Sequence, residues 1–305
     1  AEMIPNPAFD PTDPESPQLI PNPFAGGFTT YANPLVTQTG SEIVPLMVSL
    51  PKASLGCVKP AEGYPVMIFQ HGITADRTNM IAVADAMATP PLCTAVVAMD
   101  MPLHGIAEDN LLHQTLQAAT SGFISVFEGY DAGGVRERTF GVDVVNNATN
   151  FPGNDGLIDP SGSSTINTLN FLVSRDNNRQ AVLDLLALEK AIPFMDVDGD
   201  TEPDFDADNV SFMGHSWGGI VGTIFLAHSD MVKVAVFANS GGNLLGMIDG
   251  SVRFGTPVRD GLAARGILPG SEDFLSFFFV GQTVIDDGDA INSYATNVAR
   301  QIPTL

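Results

Sequence analysis

Gly214-His215-Ser216-Trp217-Gly218 is the stretch that decides the fold of this chain. It follows an apolar run at 210–213, which predicts a short buried strand, and precedes another at 220–227, which predicts an apolar helix. A G-x-S-x-G sequence between a strand and a helix is typical of a tight, strained turn that needs small residues at Gly214 and Gly218. Ser216 is therefore the predicted nucleophile, beside a helix N-terminus whose free N–H groups favour a developing oxyanion.

Two further strand ends support this interpretation. The apolar run at 66–69 is followed by Gln-His-Gly-Ile-Thr at 70–74, and the run at 94–100 by Met-Pro-Leu-His-Gly at 101–105. In the α/β-hydrolase fold the loop after the third strand supplies an oxyanion donor. The predicted donors are the backbone N–H groups of Ile73 and Trp217. Three such signals in the expected order predict an α/β-hydrolase fold, with a mostly parallel sheet and helices on both faces.

Composition limits the classes of partner. The 305 residues, 44 % of them hydrophobic, can bury one large α/β core, and no apolar run has the length needed to span a bilayer. The net charge of −22 argues against binding nucleic acid through a basic patch. Such a charge suits a secreted or surface protein. The sequence starts at Ala1 without a leader, so we expect that any signal peptide has been removed.

The chain divides into an arm and a domain. Residues 1–34 are rich in Pro and Asn and predict an extended arm, and residues 35–305 predict the α/β-hydrolase domain. Residues 106–173 follow the fourth strand and predict a lid-like insertion. An amphipathic pattern at 175–192 predicts a helix. The sixth strand is predicted at 232–239, helices at 274–284 and 290–300, and the beginning of the seventh strand at 302–305.

The two cysteines lie in loops that lead into neighbouring strands of this predicted sheet. Cys57 precedes the third strand and Cys93 the fourth. In an exported protein this placement favours a disulfide between them, and the alternative is two buried free thiols.

A loop before the elbow strand carries five acidic residues with alternating spacing. Asp196, Asp198, Asp200 and Asp204 take positions one, three, five and nine of an EF-hand-like calcium loop, and the backbone carbonyl of Glu202 takes the seventh. The glycine stands at position four rather than six, and position twelve lacks a bidentate glutamate. We expect a structural calcium ion here and no cofactor for catalysis; the alternative is a solvated acidic loop.

Five stretches together resemble one bacterial family. They are the segments at 70–74, 137–143, 159–163, 174–180 and 214–219. The pattern is similar to the virulence-factor-type lipases, exported or surface-anchored esterases that include an outer-membrane lysophospholipase. The resemblance implies hydrolysis of carboxylic esters in acyl lipids or similar apolar esters, by a secreted, periplasmic or cell-surface bacterial protein. The family elbow usually has leucine after the serine, so Trp217 is a departure that would narrow or flatten the acyl site.

The sequence does not provide a catalytic base in the usual place. In this fold the acid and then the histidine follow the serine in chain order, and no histidine follows His228. None of the five histidines is predicted to be the base; they are His71, His104, His113, His215 and His228. We expect the acid and the histidine in a continuation beyond Leu305 or in a second chain. An alternative takes 274–284 as the seventh strand and Asp286, Asp287 or Asp289 as the acid, but still lacks the histidine.

Two function classes follow. The first is a serine esterase or lipase that forms an acyl-enzyme on Ser216 and acts on a small-molecule or lipid ester. The second is a catalytically inactive hydrolase fold used for binding, because fold does not guarantee activity. The intact elbow glycines favour the first class, and the missing base is the evidence for the second. A calcium-dependent adhesion module rests on the acidic loop alone.

Overall fold

The computed structural model describes residues 3–5, 19–21, 42–107, 137–149, 151–168, 170–252 and 254–305. The chain divides into two compact units, Ala1–Ile43 and Val44–Leu305. In the first unit, strands β1 (Met3–Pro5) and β2 (Leu19–Pro21) pair antiparallel. The remaining residues of the predicted extended arm lie outside the described part of the chain.

The second unit is built on a five-stranded sheet. Its strands are β3 (Leu46–Ser49), β4 (Tyr64–Gln70), β5 (Ala95–Met99), β8 (Phe205–His215) and β9 (Val232–Ala238). They lie in the order β3-β5-β4-β8-β9, with β3 antiparallel to β5 and every other pair parallel. The predicted, mostly parallel sheet is confirmed. The elbow strand β8 is longer than the predicted apolar run at 210–213, because Phe205 also pairs with Tyr64 of β4, ahead of a shift in register that ends at Val210.

Helices connect these strands. α1 (Ile81–Met87) follows β4, α2 (Phe171–Ala191) precedes β8, and α3 (Trp217–His228) follows it. After β9 come α4 (Leu244–Gly250), α5 (Gly255–Ala263), α6 (Glu272–Ile285) and α7 (Tyr294–Arg300). α2 begins before the predicted start at 175, because the Asn170 side chain caps it by accepting a hydrogen bond from the backbone N–H of Leu172.

Both faces of the sheet are buried, as predicted. Alternate side chains of a strand point to opposite faces. Val66 and Ile68 of β4 belong to the larger core, which contains Leu185 of α2 and Ile220 of α3. The intervening Met67 and Phe69 belong to a smaller core that includes Met80 and Ala84, beside and within α1.

Residues 303–305 run alongside β9. The backbone N–H of Ala235 donates to the carbonyl oxygen of Pro303 (3.0 Å), and the N–H of Leu305 donates to the carbonyl oxygen of Ala235 (3.1 Å). The bridge between Ala235 and Thr304 is parallel. The predicted strand-like pairing at 302–305 is therefore present, on the outer side of β9.

The predicted insertion at 106–173 is described only in part, since residues 108–136, 150 and 169 lie outside the described residues. The described part includes two short paired strands, β6 (Val145–Asn146) and β7 (Phe151–Pro152). It is anchored to α2, because the Arg138 guanidinium makes a bidentate ion pair with Asp184. The prediction of a lid stays a prediction.

The predicted disulfide is confirmed. Cys57 and Cys93 are bonded across a Cα–Cα distance of 5.4 Å. The bond joins the segments that lead into β4 and β5, which are neighbours in the sheet. Within the described residues, no helix is both long and apolar enough to cross a membrane.

Candidate active site

Ser216 stands alone between the last residue of β8 and the first residue of α3. Its backbone has φ 53° and ψ −119°, a conformation that non-glycine residues rarely adopt and that stores strain. The turn is held by its own backbone: the N–H of Ser216 donates to the carbonyl of Ala238 (2.7 Å), and the carbonyl of Ser216 accepts from Gly219 (2.9 Å). The strained turn therefore presents Ser216 at the carboxyl edge of the sheet.

Close backbone approaches explain the two elbow glycines. A Cβ at Gly218 would lie 2.3 Å from the carbonyl oxygens of both Gln70 and His71, at the end of β4. A Cβ at Gly214 would lie 2.6 Å from the carbonyl oxygen of Gly218. These neighbours are backbone atoms that cannot rotate away, so neither position has room for a larger residue.

The loop after β4 lies against the serine. A Cβ at Gly72 would be 3.0 Å from the Cβ of Ser216, so this loop and the elbow are in contact. Within the described part of the chain, the backbone N–H groups of Ile73 and Trp217 donate no hydrogen bond. The structure thus brings together Ser216 and the two predicted oxyanion donors, and both donors remain available to a ligand oxygen.

Two buried histidines hold the peptide groups on either side of Ile73. His71 Nδ1 lies 2.8 Å from the carbonyl oxygen of Gly72, and its Nε2 accepts from the N–H of Met101. His104 Nε2 accepts from the N–H of Thr74 (3.3 Å), and its Nδ1 lies 2.9 Å from the Pro102 carbonyl oxygen. Each ring therefore donates through Nδ1 and accepts through Nε2, which is the arrangement of a neutral imidazole.

The environment keeps these rings uncharged. Burial lowers the pKa of His71 and of His104 from 6.5 to about 4. Both rings therefore have their hydrogen-bonding nitrogens engaged and are neutral at pH 7. They hold the loop that carries Ile73 in place, and neither ring is positioned to take a proton from Ser216.

A buried ionic network lies next to this loop. The Arg77 guanidinium bonds the buried Asp100 carboxylate at the end of β5, and its Nη2 donates to Glu137 Oε1 (2.9 Å). The Arg77 backbone N–H also donates to Asp100 Oδ1 (2.7 Å). Burial raises the pKa of the Asp100 carboxyl to about 6, against the opposing effect of Arg77. Sequence reasoning gave these residues no role; the Glu137 segment was noted only as part of the family resemblance.

The Trp217 indole points into the core. It is buried, and its Nε1 donates to Asn178 Oδ1 at 2.8 Å. Asn178 in turn donates to the carbonyl oxygen of Gly288 at 2.8 Å. The indole thus joins α3 to α2, and the expectation that Trp217 narrows or flattens the acyl site stays a prediction.

No histidine of the described residues is hydrogen-bonded to Ser216. His215 and His228 are exposed, and His228 ends α3, about 17 Å along the helix axis from the elbow. His113 lies outside the described residues. The structure thus places the predicted nucleophile and the two predicted oxyanion donors together, and the described histidines do not complete a triad.

The alternative acid after a strand at 274–284 is wrong, because that stretch lies within α6. Ser271 caps this helix by accepting a hydrogen bond from the N–H of Phe274, and the Phe274 side chain is buried in its first turn. Asp289 is also occupied: its carboxylate accepts from the backbone N–H groups of Asn243, Leu244 and Ile291. Asp286 and Asp287 lie in the 3-10 turn that follows α6.

The side chain of Lys59, from a distant part of the chain, lies against the acidic loop. Asp196, Asp198 and Asp204 bring one carboxylate oxygen each within 4.8 Å of one another. Lys59 Nζ lies 2.8 Å from Asp204 and 3.2 Å from Asp200. The Asp204 hydrogen bond, above all, raises the pKa of the Lys59 ammonium. Glu202 and Asp200 do not join the three-carboxylate group, and the Glu202 N–H donates to Asp200 Oδ1.

This geometry fits a cation in part. Three clustered carboxylates offer the hard oxygen ligands that calcium prefers. Asp204, however, already accepts from the backbone N–H groups of Val197 and Asp198 and from Lys59. The loop lies at the amino end of β8, whereas Ser216 follows the carboxyl end, so it has no contact with the chemistry. Calcium binding stays a prediction.

The sheet order and the strained serine turn between β8 and α3 define an α/β-hydrolase fold. No family model matches the sequence, and no curated protein matches it. Among solved structures, the chain is similar to Est1E from Butyrivibrio proteoclasticus with bound ferulic acid, at 15 % identity and a TM-score of 0.34. That match covers 67 % of this chain and 50 % of Est1E, so this chain spans half the length of Est1E.

Two acetyl xylan esterases are also similar. The enzyme from Paenibacillus sp. R4 has 12 % identity and a TM-score of 0.45, over 86 % of this chain and 72 % of that one. Acetyl xylan esterase 1 from Thermoanaerobacterium sp. JW/SL YS485 has 17 % identity and a TM-score of 0.37, over 81 % and 68 %. At these identities and TM-scores, the similarities do not indicate what this chain acts on.

Proposed function

We propose that this protein is a serine carboxylic-ester hydrolase that forms an acyl-enzyme on Ser216. The observation that carries the proposal is the strained turn that exposes Ser216 beside two free backbone N–H groups, those of Ile73 and Trp217. Fixed donors aimed at a developing negative charge are the largest single contribution in acyl transfer. A serine with no catalytic use has no need of such a conformation.

The chemistry would proceed in two steps. Ser216 Oγ bonds to the ester carbonyl carbon and gives its proton to a base, while the carbonyl oxygen takes the negative charge and is held by the two N–H groups. The carbon–oxygen bond to the alcohol then breaks, and the base returns the proton to the departing alcohol. Water attacks the acyl-enzyme by the same route and releases a carboxylic acid.

The base and its acid would come from outside the described residues. The pairing of 303–305 with β9 supports a continuation of the sheet on that side, since these residues run parallel to β9. A strand in this place would deliver the following loop to the carboxyl edge of the sheet, where Ser216 lies. We propose that the acid and the histidine come from a segment that continues this strand, or from a second chain.

A fluorophosphonate probe tests the proposal, because it reacts only with an activated serine hydroxyl. The natural polypeptide, with its intact mass measured, should be labelled at Ser216 and should hydrolyse p-nitrophenyl butyrate. S216A should lose both, and S240A, which changes a nearby serine outside the turn, should retain both. Absence of labelling in the natural polypeptide would remove the esterase function and leave the alternative, an inactive hydrolase fold that binds ligands.

Substrate class and location are further parts of the proposal. The resemblance to virulence-factor-type lipases favours esters of acyl lipids, including lysophospholipids. Hydrolysis of lysophosphatidylcholine, compared with that of acetylated xylan, separates lipid esters from carbohydrate esters. The Cys57–Cys93 disulfide supports a secreted, periplasmic or cell-surface location, since disulfides persist in oxidising compartments.

A further inference from the structure

An apolar pocket of about 320 Å³ lies among the helices that follow β9. Its walls include the side chains of Ile166, Ile248, Val258, Leu262 and Phe277. These side chains come from three helices, α4, α5 and α6, and from the segment before α2. A volume near the lower end of the ~300–1,000 Å³ range of ligand pockets suits a ligand of moderate size.

One wall of the pocket lies near the carboxyl edge of the sheet, the edge at which Ser216 lies. Asn178, in the first half of α2, bonds Trp217 next to Ser216, so the start of α2 lies at the carboxyl edge of the sheet. The carbonyl of Thr165 accepts from the Asn177 side chain, which holds Ile166 beside that start. In open α/β sheets, ligands bind at this edge.

Among the described residues that line the pocket, one is a cation. Arg265 is exposed just beyond the end of α5, and its Nη1 donates to the carbonyl of Gly261 at 3.1 Å. It forms no ion pair with any described residue, in a chain with 13 basic and 35 acidic residues. The guanidinium therefore keeps most of its five N–H donors free, in a geometry that accepts a carboxylate with two parallel hydrogen bonds.

We propose that this pocket binds the anion of an unbranched, medium-chain monocarboxylic acid, with the alkyl chain inside and the carboxylate on Arg265. The apolar walls favour the alkyl chain, because each methylene that is buried strengthens binding. The acidic surface repels anions in general, so the carboxylate of the ligand binds where Arg265 provides a positive charge. The site does not depend on the esterase activity, although a carboxylate is also the product which that activity would release.

Titration calorimetry with octanoate on the S216A protein tests this without any hydrolysis. We expect one saturable site, with affinity about tenfold higher than for hexanoate because two more methylenes are buried. Arg265→Gln should weaken octanoate binding at least tenfold and leave 1-octanol binding unchanged. Lys52→Gln, which changes another exposed cation outside the pocket, should have no effect.

A second variant separates the pocket from the cation. Val258→Trp should fill the pocket and abolish binding of both octanoate and octanol, with circular dichroism and the thermal midpoint confirming that the variant is folded. Octanoate binding that survives both Val258→Trp and Arg265→Gln would overturn the proposal, as would the absence of saturable binding. Neither outcome changes the labelling of Ser216 by the fluorophosphonate. The pocket proposal and the esterase proposal can therefore fail independently of each other.

Discussion

The indole N–H of Trp217 donates to Asn178 Oδ1 at 2.8 Å, and this bond joins the helix that begins at the nucleophile to the helix that precedes its strand. Both residues are buried, at 6 % and 1 % exposure. Asn178 also donates to the Gly288 carbonyl, so one amide links three segments.

Loss of this link should destabilise the protein. Asn178→Ala leaves the indole N–H and the Gly288 carbonyl buried without partners, so we expect the free energy of unfolding to fall by about 1–3 kcal/mol per group. Urea unfolding measures the loss. Trp217→Phe should cost less in combination with Asn178→Ala than alone, and strictly additive effects would show that the two side chains do not interact.

Gly218→Ala should be among the most damaging single substitutions. The added methyl would lie 2.3 Å from two backbone carbonyls, so the end of β4 or the elbow must move. We expect a loss of at least about 3 kcal/mol, or no soluble protein. Gly261→Ala is the matched control: its Cβ meets nothing within 4 Å in α5, and it should be neutral or stabilising by up to about 1 kcal/mol. Equal stability of the two variants would contradict the elbow geometry.

Stability should fall on mild acidification. Because the folded-state pKa values of His71 and His104 are lowered to about 4, unfolding takes up a proton at each ring between about pH 6.5 and 4. The free energy of unfolding therefore decreases as the pH falls through this window, by up to about 3 kcal/mol per ring. Asp100 opposes this, since its raised pKa of about 6 makes the folded state hold an additional proton below that pH.

Two measurements check this prediction. Urea unfolding between pH 7 and pH 4.5 should show a net loss, because two rings outweigh one carboxyl. Nitrogen-15 spectra should show both rings as the neutral Nδ1–H form at pH 5.5. Protonation of either ring near pH 6.5 would contradict the hydrogen-bonding pattern around Ile73.

Calcium and Lys59 should compete in the acidic loop. If calcium binds to Asp196, Asp198 and Asp204, millimolar calcium should raise the thermal midpoint of the wild-type protein. Lys59→Gln should increase the calcium affinity, because it removes an ammonium that already bonds Asp204. Asp196→Asn should abolish the shift. A thermal midpoint that calcium leaves unchanged in both the wild-type protein and the Lys59 variant would mean that the loop does not bind calcium.

The sequence predicted those features that depend on short stretches. The turn at Ser216, the apolar strands at 66–69 and 94–100, and the helices at 274–284 and 290–300 are all encoded by residues close together in the chain. Gly214 and Gly218 were predicted from the same local logic. The start of β8 was missed because Phe205, which pairs with Tyr64 of β4, is separated from the apolar run by four residues of low strand propensity or partial exposure.

Short stretches of sequence did not predict contacts between residues that are far apart in the chain. Lys59 precedes Asp204 by 145 residues, so the sequence did not show that its ammonium lies against the predicted calcium loop. Trp217 was expected at the acyl site because it follows the nucleophile, yet the helix turns its side chain towards Asn178. The histidine rings were associated with their loops, but their bonds to Gly72 and Thr74 required the juxtaposition of two strand ends.

The Arg77–Glu137 pair has one more consequence. The backbone N–H of Ile106 donates to Glu137 Oε2 at 2.9 Å, so the chain leaves the sheet at Ile106 and comes back to the same spot at Glu137. A change in the number of residues between these two points alters the entropy of loop closure only slowly. We therefore expect that segments of different length can be exchanged between these two points, while Arg77 continues to hold Glu137 in place.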